Sequence, residues 1–314
     1  MDGERIFVLV NASQTEEADV GNRETLQYGG DWTVEKLERV RKYLRAYTVA
    51  LKNQRFHLLY IDAFAGTGYC SLKRGGVDER ALRLPELAEP ETQEFLAGSA
   101  RIALEVEPPF SEFIFIEKDS AKCAQLHELE HEFASKRDRI TVVSQDANEY
   151  IGSLCQRSGW SGTRAVLFLD PYGMQVSWQT VRAVAETQAI DLWYLFPLGV
   201  AVNRLMRKDG NIRASERRKL DDIFGARDWY EAFYKPKTEL DLFGEESFLE
   251  KQATFKAIGE YLVARLKTAF PGVAENPLPL LNERNVPLYL LCFAAANKRG
   301  APIAVKIAQH ILKG

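Results

Sequence analysis

The chain has 314 residues, 46% of them hydrophobic and 27% charged. This is ordinary globular composition and excludes wholesale disorder or a coiled coil, while the length suits one large domain or two small ones. A formal net charge of −3 gives no overall basic field, so an anionic partner has to be held by a local patch.

Taken in chain order, the apolar run Ile6–Val10 is too short for a signal-peptide core. Residues 11–30 read as an irregular lead-in. A helix is predicted to start at Asp31 or Thr33, either of which can cap it, and to end near Asn53. Its apolar face is Leu37, Val40, Leu44, Tyr47 and Leu51, spaced alternately by three and four residues. Residues 56–61 then form an apolar run ending in Asp62 and a glycine turn. Similar runs follow at 112–116 before Glu117, 140–143 before Asp146, 165–169 before Asp170, 190–196 before Pro197, and 288–293. Continuous apolar strands alternating with helices predict an α/β domain with a mostly parallel sheet covered on both faces. Acids at the carboxyl ends of such strands would face a common crevice. Two segments exceed plain crossovers: 69–111, which carries four prolines, and 203–286, read as mostly helical. Ser247 and Glu250 are read there as a capping box ahead of a helix bearing Phe255, Ile258, Leu262 and Leu266.

Cys70, Cys123, Cys155 and Cys292 lie far apart with no C-x-x-C pair, which argues against a zinc ribbon or a disulfide scaffold. The apolar stretch Ile190–Val202 is interrupted by Asp191 and Pro197 and is too short to span a bilayer. The expectation is a cytoplasmic protein with no membrane association.

The strongest chemical signal is Asp62-Ala63-Phe64-Ala65-Gly66-Thr67-Gly68 after the first strand. Its glycines allow a tight turn and close approach of backbone to a ligand. It lacks the Gly-Lys-Ser/Thr of a P-loop and the third glycine of a dinucleotide fingerprint. The pattern resembles motif I of class I S-adenosylmethionine methyltransferases. That resemblance assigns Asp62, Phe64, Gly66 and Gly68 to the cofactor, Glu117 to its ribose and Asp146 to its adenine amino group. Glu117 lies well beyond the roughly 20 residues usual for a ribose-binding acid, and the 69–111 segment has to absorb the difference.

Asp170-Pro171-Tyr172-Gly173 resembles the Asp-Pro-Pro-Tyr motif of amino-group methyltransferases, with one proline fewer. Tyr172 therefore matches either the second proline or the aromatic residue. A carboxylate and a carbonyl there would accept the two N–H bonds of an amine and aim its lone pair at the methyl group. An aromatic ring would stack on a planar base.

From Trp32 to His310 the chain is similar to the three-Cys-motif partner (TcmP) family. The similarity is carried by Trp32-Thr33 with Lys36-Leu37 and Tyr43-Leu44, by residues 60–68, by Gly98-Ser99-Ala100, by 113–117, by 169–173 and by Asp228-Trp229-Tyr230. It implies a methyltransferase-like fold. The chain itself is read as one Rossmann-like α/β domain over 56–314, with insertions at 69–111 and 203–286 and a helical N-terminal extension over 1–55. The similarity also implies a neighbouring partner protein with a three-cysteine motif. The resulting expectation is an S-adenosylmethionine-dependent methyltransferase acting on an exocyclic amine of a nucleic-acid base. The alternative is a non-catalytic binding module acting with the cysteine-motif protein.

Two further patterns need weighing. His127 and His131 match H-E-x-x-H by letters, but Cys123, Leu126, Leu129 and Phe133 define the buried stripe at about 100° per residue. Both histidines fall on the solvent side, so no metal site is read there. Arg204, Arg207, Lys208, Arg213, Arg217, Arg218 and Lys219 form a basic stretch, read either as a phosphate-contacting patch (Arg204, Arg207, Lys208 and Arg213 foremost) or as a solvated face. Trp32 and Lys36 stand ahead of the first strand as a lid over the cofactor, with core packing the other reading for Trp32.

Overall fold

The computed structural model describes residues 31–67, 98–241 and 244–313. The lead-in 11–30, Gly68, Cys70 and most of the 69–111 segment lie outside the described residues.

Helix α1 (Asp31–Leu51) precedes strand β1 (His57–Asp62). The alternating part of the chain runs through α2 (Ser99–Glu105), β2 (Glu112–Glu117), α3 (Ser120–Glu132) and β3 (Ile140–Ser144). It continues through α4 (Ala147–Cys155), β4 (Thr163–Leu169), α5 (Trp178–Glu186) and β5 (Ile190–Phe196). Then come α6 (Ala214–Phe224), α7 (Trp229–Phe233), a hairpin of β6 (Tyr234–Asp241) and β7 (Gly244–Lys251), and α8 (Phe255–Ala269). Strands β8 (Gly272–Val273), β9 (Leu278–Leu281) and β10 (Pro287–Ala295) and helix α9 (Ala301–Lys313) complete the order.

The main sheet has eight strands in the order β3-β2-β1-β4-β5-β10-β8, with β9 also paired to β10. The first five are parallel, and β10 runs antiparallel to β5, β8 and β9. This is the Rossmann-like α/β fold expected from the sequence. Its strands read as continuous apolar runs because both faces are covered. Along β4, Ala165, Leu167 and Leu169 face the core beneath α4, α5, α6 and α8. Val166 and Phe168 face the core beneath α1, α2, α3 and α9. Every residue of β5 is buried. Full burial of each large apolar side chain is worth ~1.5–3 kcal/mol.

Helix α1 follows its periodicity: Leu37, Val40, Leu44 and Tyr47 are buried. The buried face is wider than the sequence pattern, because Trp32, Lys36 and Tyr43 are also enclosed. On α3 the buried residues are Cys123, Leu126 and Leu129, while His127 and His131 are exposed. Among the described residues no helix is long and apolar enough to cross a membrane.

Residues 203–286 carry α6, α7 and α8, together with strands the periodicity did not announce. The capping-box expectation is corrected: Ser247 and Glu250 belong to strand β7. The cap of α8 is Thr254, whose hydroxyl accepts the Ala257 N–H at 3.1 Å. A two-stranded hairpin off the main sheet needs no continuous apolar run, so its charged residues masked it. Its base is fastened by Lys251, whose Nζ donates to Asn203 Oδ1 at 2.6 Å and to the Met206 carbonyl at 3.0 Å.

Candidate functional site

From β1 the chain steps outward to β2 and β3, then returns to β4 on the other side of β1. The strand order therefore reverses between β1 and β4, where open α/β sheets bind their ligands. Asp62 ends β1 in register with Phe168 of β4, so Asp62 and Asp170 stand at neighbouring strand ends.

The chain leaving β1 is stitched to both neighbouring strands. Ala63 N–H donates to the Phe168 carbonyl at 3.1 Å and Ala65 N–H to the Ile116 carbonyl at 3.0 Å. Gly66 then turns with φ 61°, a left-handed conformation that a Cβ would disfavour. Its N–H donates to Glu117 Oε2 at 3.1 Å. Glu117 Oε1 accepts the Asp119 N–H at 2.9 Å. Two of the carboxylate's roughly four lone-pair positions are thus used, and the side chain is only half-buried. Phe64 is half-buried against the core beneath α4 and α5.

Asp62 itself is fully buried beneath this loop. It accepts the Phe64 N–H at 3.3 Å and the Tyr60 hydroxyl at 3.4 Å, and Ser99 also bonds to it. Burial pushes its carboxyl up to about 7; the Ser99 bond pulls it back and the nearby Asp170 charge pushes it further. The loop rests on Asp62, and the carboxyl is engaged by the chain's own donors.

Asp146 caps α4, accepting the Asn148 N–H at 3.0 Å, and its other oxygen lies 3.5 Å from Lys118 Nζ. Asn148 ties this end of α4 to the turn after β4. Its Nδ2 donates to the Gln175 carbonyl at 2.8 Å, and its Oδ1 accepts Ser177 N–H at 3.0 Å and Thr180 Oγ1–H at 2.7 Å.

In that turn Pro171 is buried and Tyr172 half-buried, with Gly173 at φ 70°. Tyr172 N–H donates to Gln175 Oε1 at 2.9 Å. Asp170 is 2% exposed, and Lys36 Nζ from α1 donates to its Oδ2. Burial raises the Asp170 carboxyl, and the Lys36 ammonium opposes that rise. Lys36 is fully buried, with Nζ 5.7 Å from the Trp32 ring centre and 5.9 Å from that of Phe168. Trp32 stacks on Tyr289 of β10 at 5.2 Å, so its packing role is the one observed.

The structure therefore gathers Asp62, Phe64, Gly66, Glu117 and Asp170 around one strand reversal. The basic residues are not gathered in the same way. Arg204 lies on the helical turn after β5, Arg207 and Lys208 on the loop beyond it, and Arg213 at the start of α6. Arg207 is 3.6 Å from Glu216, and Arg217 lies over the Tyr230 ring at 4.2 Å. Lys36 stands out in the sequence, but its bond to Asp170 does not. The legible signal was a lysine four residues after Trp32 and four before Val40, inside an otherwise apolar stripe. The support of Asp62 by Tyr60 and Ser99 had no such signal.

No known family profile and no curated protein matches the chain. Among solved structures, it is similar to the putative methyltransferase yhhF from Escherichia coli at 13% identity, covering 69% of this chain and 88% of that one, with TM-score 0.30. Protein LPL1258 from Legionella pneumophila matches at 15% identity over 77% and 94%, with TM-score 0.39. The magnesium protoporphyrin IX methyltransferase ChlM from Synechocystis, solved with bound SAH, matches at 13% identity over 70% and 84%, with TM-score 0.32. Scores of this size carry no weight of their own; the sheet order and the residues at the strand reversal do.

Proposed function

We propose that the protein is an S-adenosylmethionine-dependent methyltransferase whose acceptor is an exocyclic amine of a nucleic-acid base. The observation that carries this is the meeting of the Asp62–Gly66 turn and the Asp170–Gly173 turn at the reversal between β1 and β4. The residues present fit the cofactor: Gly66 keeps the turn free of a Cβ, and Glu117 retains lone pairs for a pair of ribose hydroxyls. Asp146 would offer its second oxygen to the adenine amino group; Gly68 lies outside the described residues.

Held there, S-adenosylmethionine would supply an electrophilic methyl group whose C–S electron pair returns to sulfur when an amine nitrogen takes the carbon. Asp170 and the backbone around Pro171 hold the amine's hydrogens so that its lone pair points inward. Tyr172 stacks against the flat base. The methylated ammonium is acidic and gives its proton to water. Arg204, Arg207, Lys208 and Arg213 supply the local positive surface for phosphates that the net charge does not. Incubation with labelled S-adenosylmethionine and separate DNA, RNA and protein pools tests this. Label in a nucleic-acid base supports it; failure of the folded protein to bind the cofactor by calorimetry sinks it.

One observation favours a second reading, a binding module acting with a three-cysteine-motif protein: Asp170 Oδ2 is already engaged by Lys36. Co-purification with such a partner, without methyl incorporation in its presence, would favour that reading.

A further inference from the structure

We propose that Lys36 is a positioning residue: its ammonium, delivered by α1, holds Asp170 through Oδ2 so that Oδ1 accepts an N–H of the substrate amine. This rests on the amine-methyltransferase reading above and assigns the extension helix a part in the reaction.

Lys36 and Asp170 are far apart in sequence yet joined at the strand reversal, with side chains 1% and 3% exposed. Burying an ammonium costs free energy unless it is paired, and an apolar pair of similar volume would fasten α1 to β4 at least as well. Fastening is also achieved elsewhere on α1 without a cation, where the Tyr43 hydroxyl donates to Asp191 at 2.7 Å. A charge at Lys36 is therefore explained by what Asp170 has to do.

The chemistry of the acceptor makes that requirement specific. A carboxyl enclosed away from water tends to keep its proton. A protonated Asp170 would present an O–H to the amine and capture the lone pair that must attack the methyl group. An ionised one presents lone pairs only, accepts N–H, and leaves the nitrogen pair free. The Lys36 ammonium favours the ionised form and, by engaging Oδ2, fixes which oxygen is left. The rings of Trp32 and Phe168 hold the ammonium in place. The other ionisable groups facing Asp170 are Asp62 and Tyr60 on β1 and Tyr289 on β10.

The test compares wild type with Lys36→Met, which keeps the length of the side chain without its charge, and Lys36→Arg, which keeps the charge. Lys36→Gln substitutes if the Met variant does not fold by circular dichroism. S-adenosylhomocysteine affinity, measured by calorimetry, should stay within about twofold, because Lys36 bonds to Asp170 and reaches Asp62 beneath the cofactor turn only through its charge. Methyl transfer to the nucleic-acid pool should fall about 100-fold near neutral pH. The acid limb of its pH profile should move to higher pH, and the Arg variant should recover most of the loss. The ¹³C carboxyl resonance absent from Asp170→Asn should titrate at higher pH in Lys36→Met. An unmoved Asp170 titration, with an unmoved pH profile in an active enzyme, overturns the role of Lys36. A wild-type protein that binds S-adenosylmethionine but methylates no pool instead overturns the reaction reading, and the amine contact with it.

Discussion

Helix α1 reaches a buried aspartate at two places about two turns apart. At Lys36 it offers a cation to Asp170, at the carboxyl end of β4 beside the Gly66 turn. At Tyr43 it offers a neutral hydroxyl to Asp191, near the opposite end of β5. Burial pushes the Asp191 carboxyl up to about 7, with the Tyr43 bond and the Arg164 charge opposing the rise. From α1, one acid receives a cation at the site; the other receives a neutral hydroxyl in the structural half of the sheet, with the Arg164 charge nearby. A neutral hydroxyl is enough to hold α1 at Asp191, whereas at the crevice the same helix buries a full cation against Asp170.

Four experiments put that contrast at risk. The largest effect is expected at the site: Asp170→Asn should lower methyl transfer about a thousandfold, equivalent to ~4 kcal/mol of transition-state stabilisation. Wild-type rates in that variant would remove the functional half of the comparison.

Next comes Asp191→Asn, which can still accept from Tyr43. Because the folded carboxyl of Asp191 sits above its unfolded value, its contribution to stability is full below about pH 4 and fades as pH rises through about 7. The variant should flatten the loss of stability between those values and be more stable than wild type at pH 8, by on the order of a few kcal/mol. Urea unfolding at several pH values checks this. Some slope remains from Asp62, which is raised to a similar value with the same sign. A slope identical to wild type would show that Asp191 does not titrate in this range.

Tyr43→Phe should cost ~1–3 kcal/mol by leaving a buried acceptor without its donor. It should leave S-adenosylhomocysteine binding intact; lost binding in a folded variant would mean the two ends of α1 are not separable. The smallest effect is expected at the exposed histidines of α3. His127→Ala with His131→Ala should stay within about 0.5 kcal/mol of wild type in thermal unfolding, with or without zinc. A zinc-dependent shift lost in this double variant would revive the metal reading that helix geometry set aside.

Much of this molecule could be read before folding. The runs ending in Asp62, Glu117 and Asp170 became β1, β2 and the end of β4, because a strand buried on both faces has to be continuously apolar. The α3 histidines went to solvent because Cys123, Leu126 and Leu129 claimed the core side. The β6–β7 hairpin was illegible for the same physical reason in reverse: outside the main sheet, no apolar run is demanded of it. Ser247 and Glu250 satisfied a capping pattern by spacing alone, yet strand pairing placed them in β7. The fate of the site acids was also hidden. Nothing local distinguishes Glu117, which keeps open lone pairs, from Asp62, which is sealed beneath its own loop.

Residue order alone sets the alternation of strands and helices, the glycine turn after β1 and the acids at strand ends. Those features follow from periodicity and from the backbone freedom of particular residues, which are local properties. The return of β4 beside β1, the meeting of the two turns there and the pairing of Lys36 with Asp170 come from the assembled fold. Those outcomes depend on contacts between residues far apart in the chain, and burial sets the energy of each group only once its neighbours are in place.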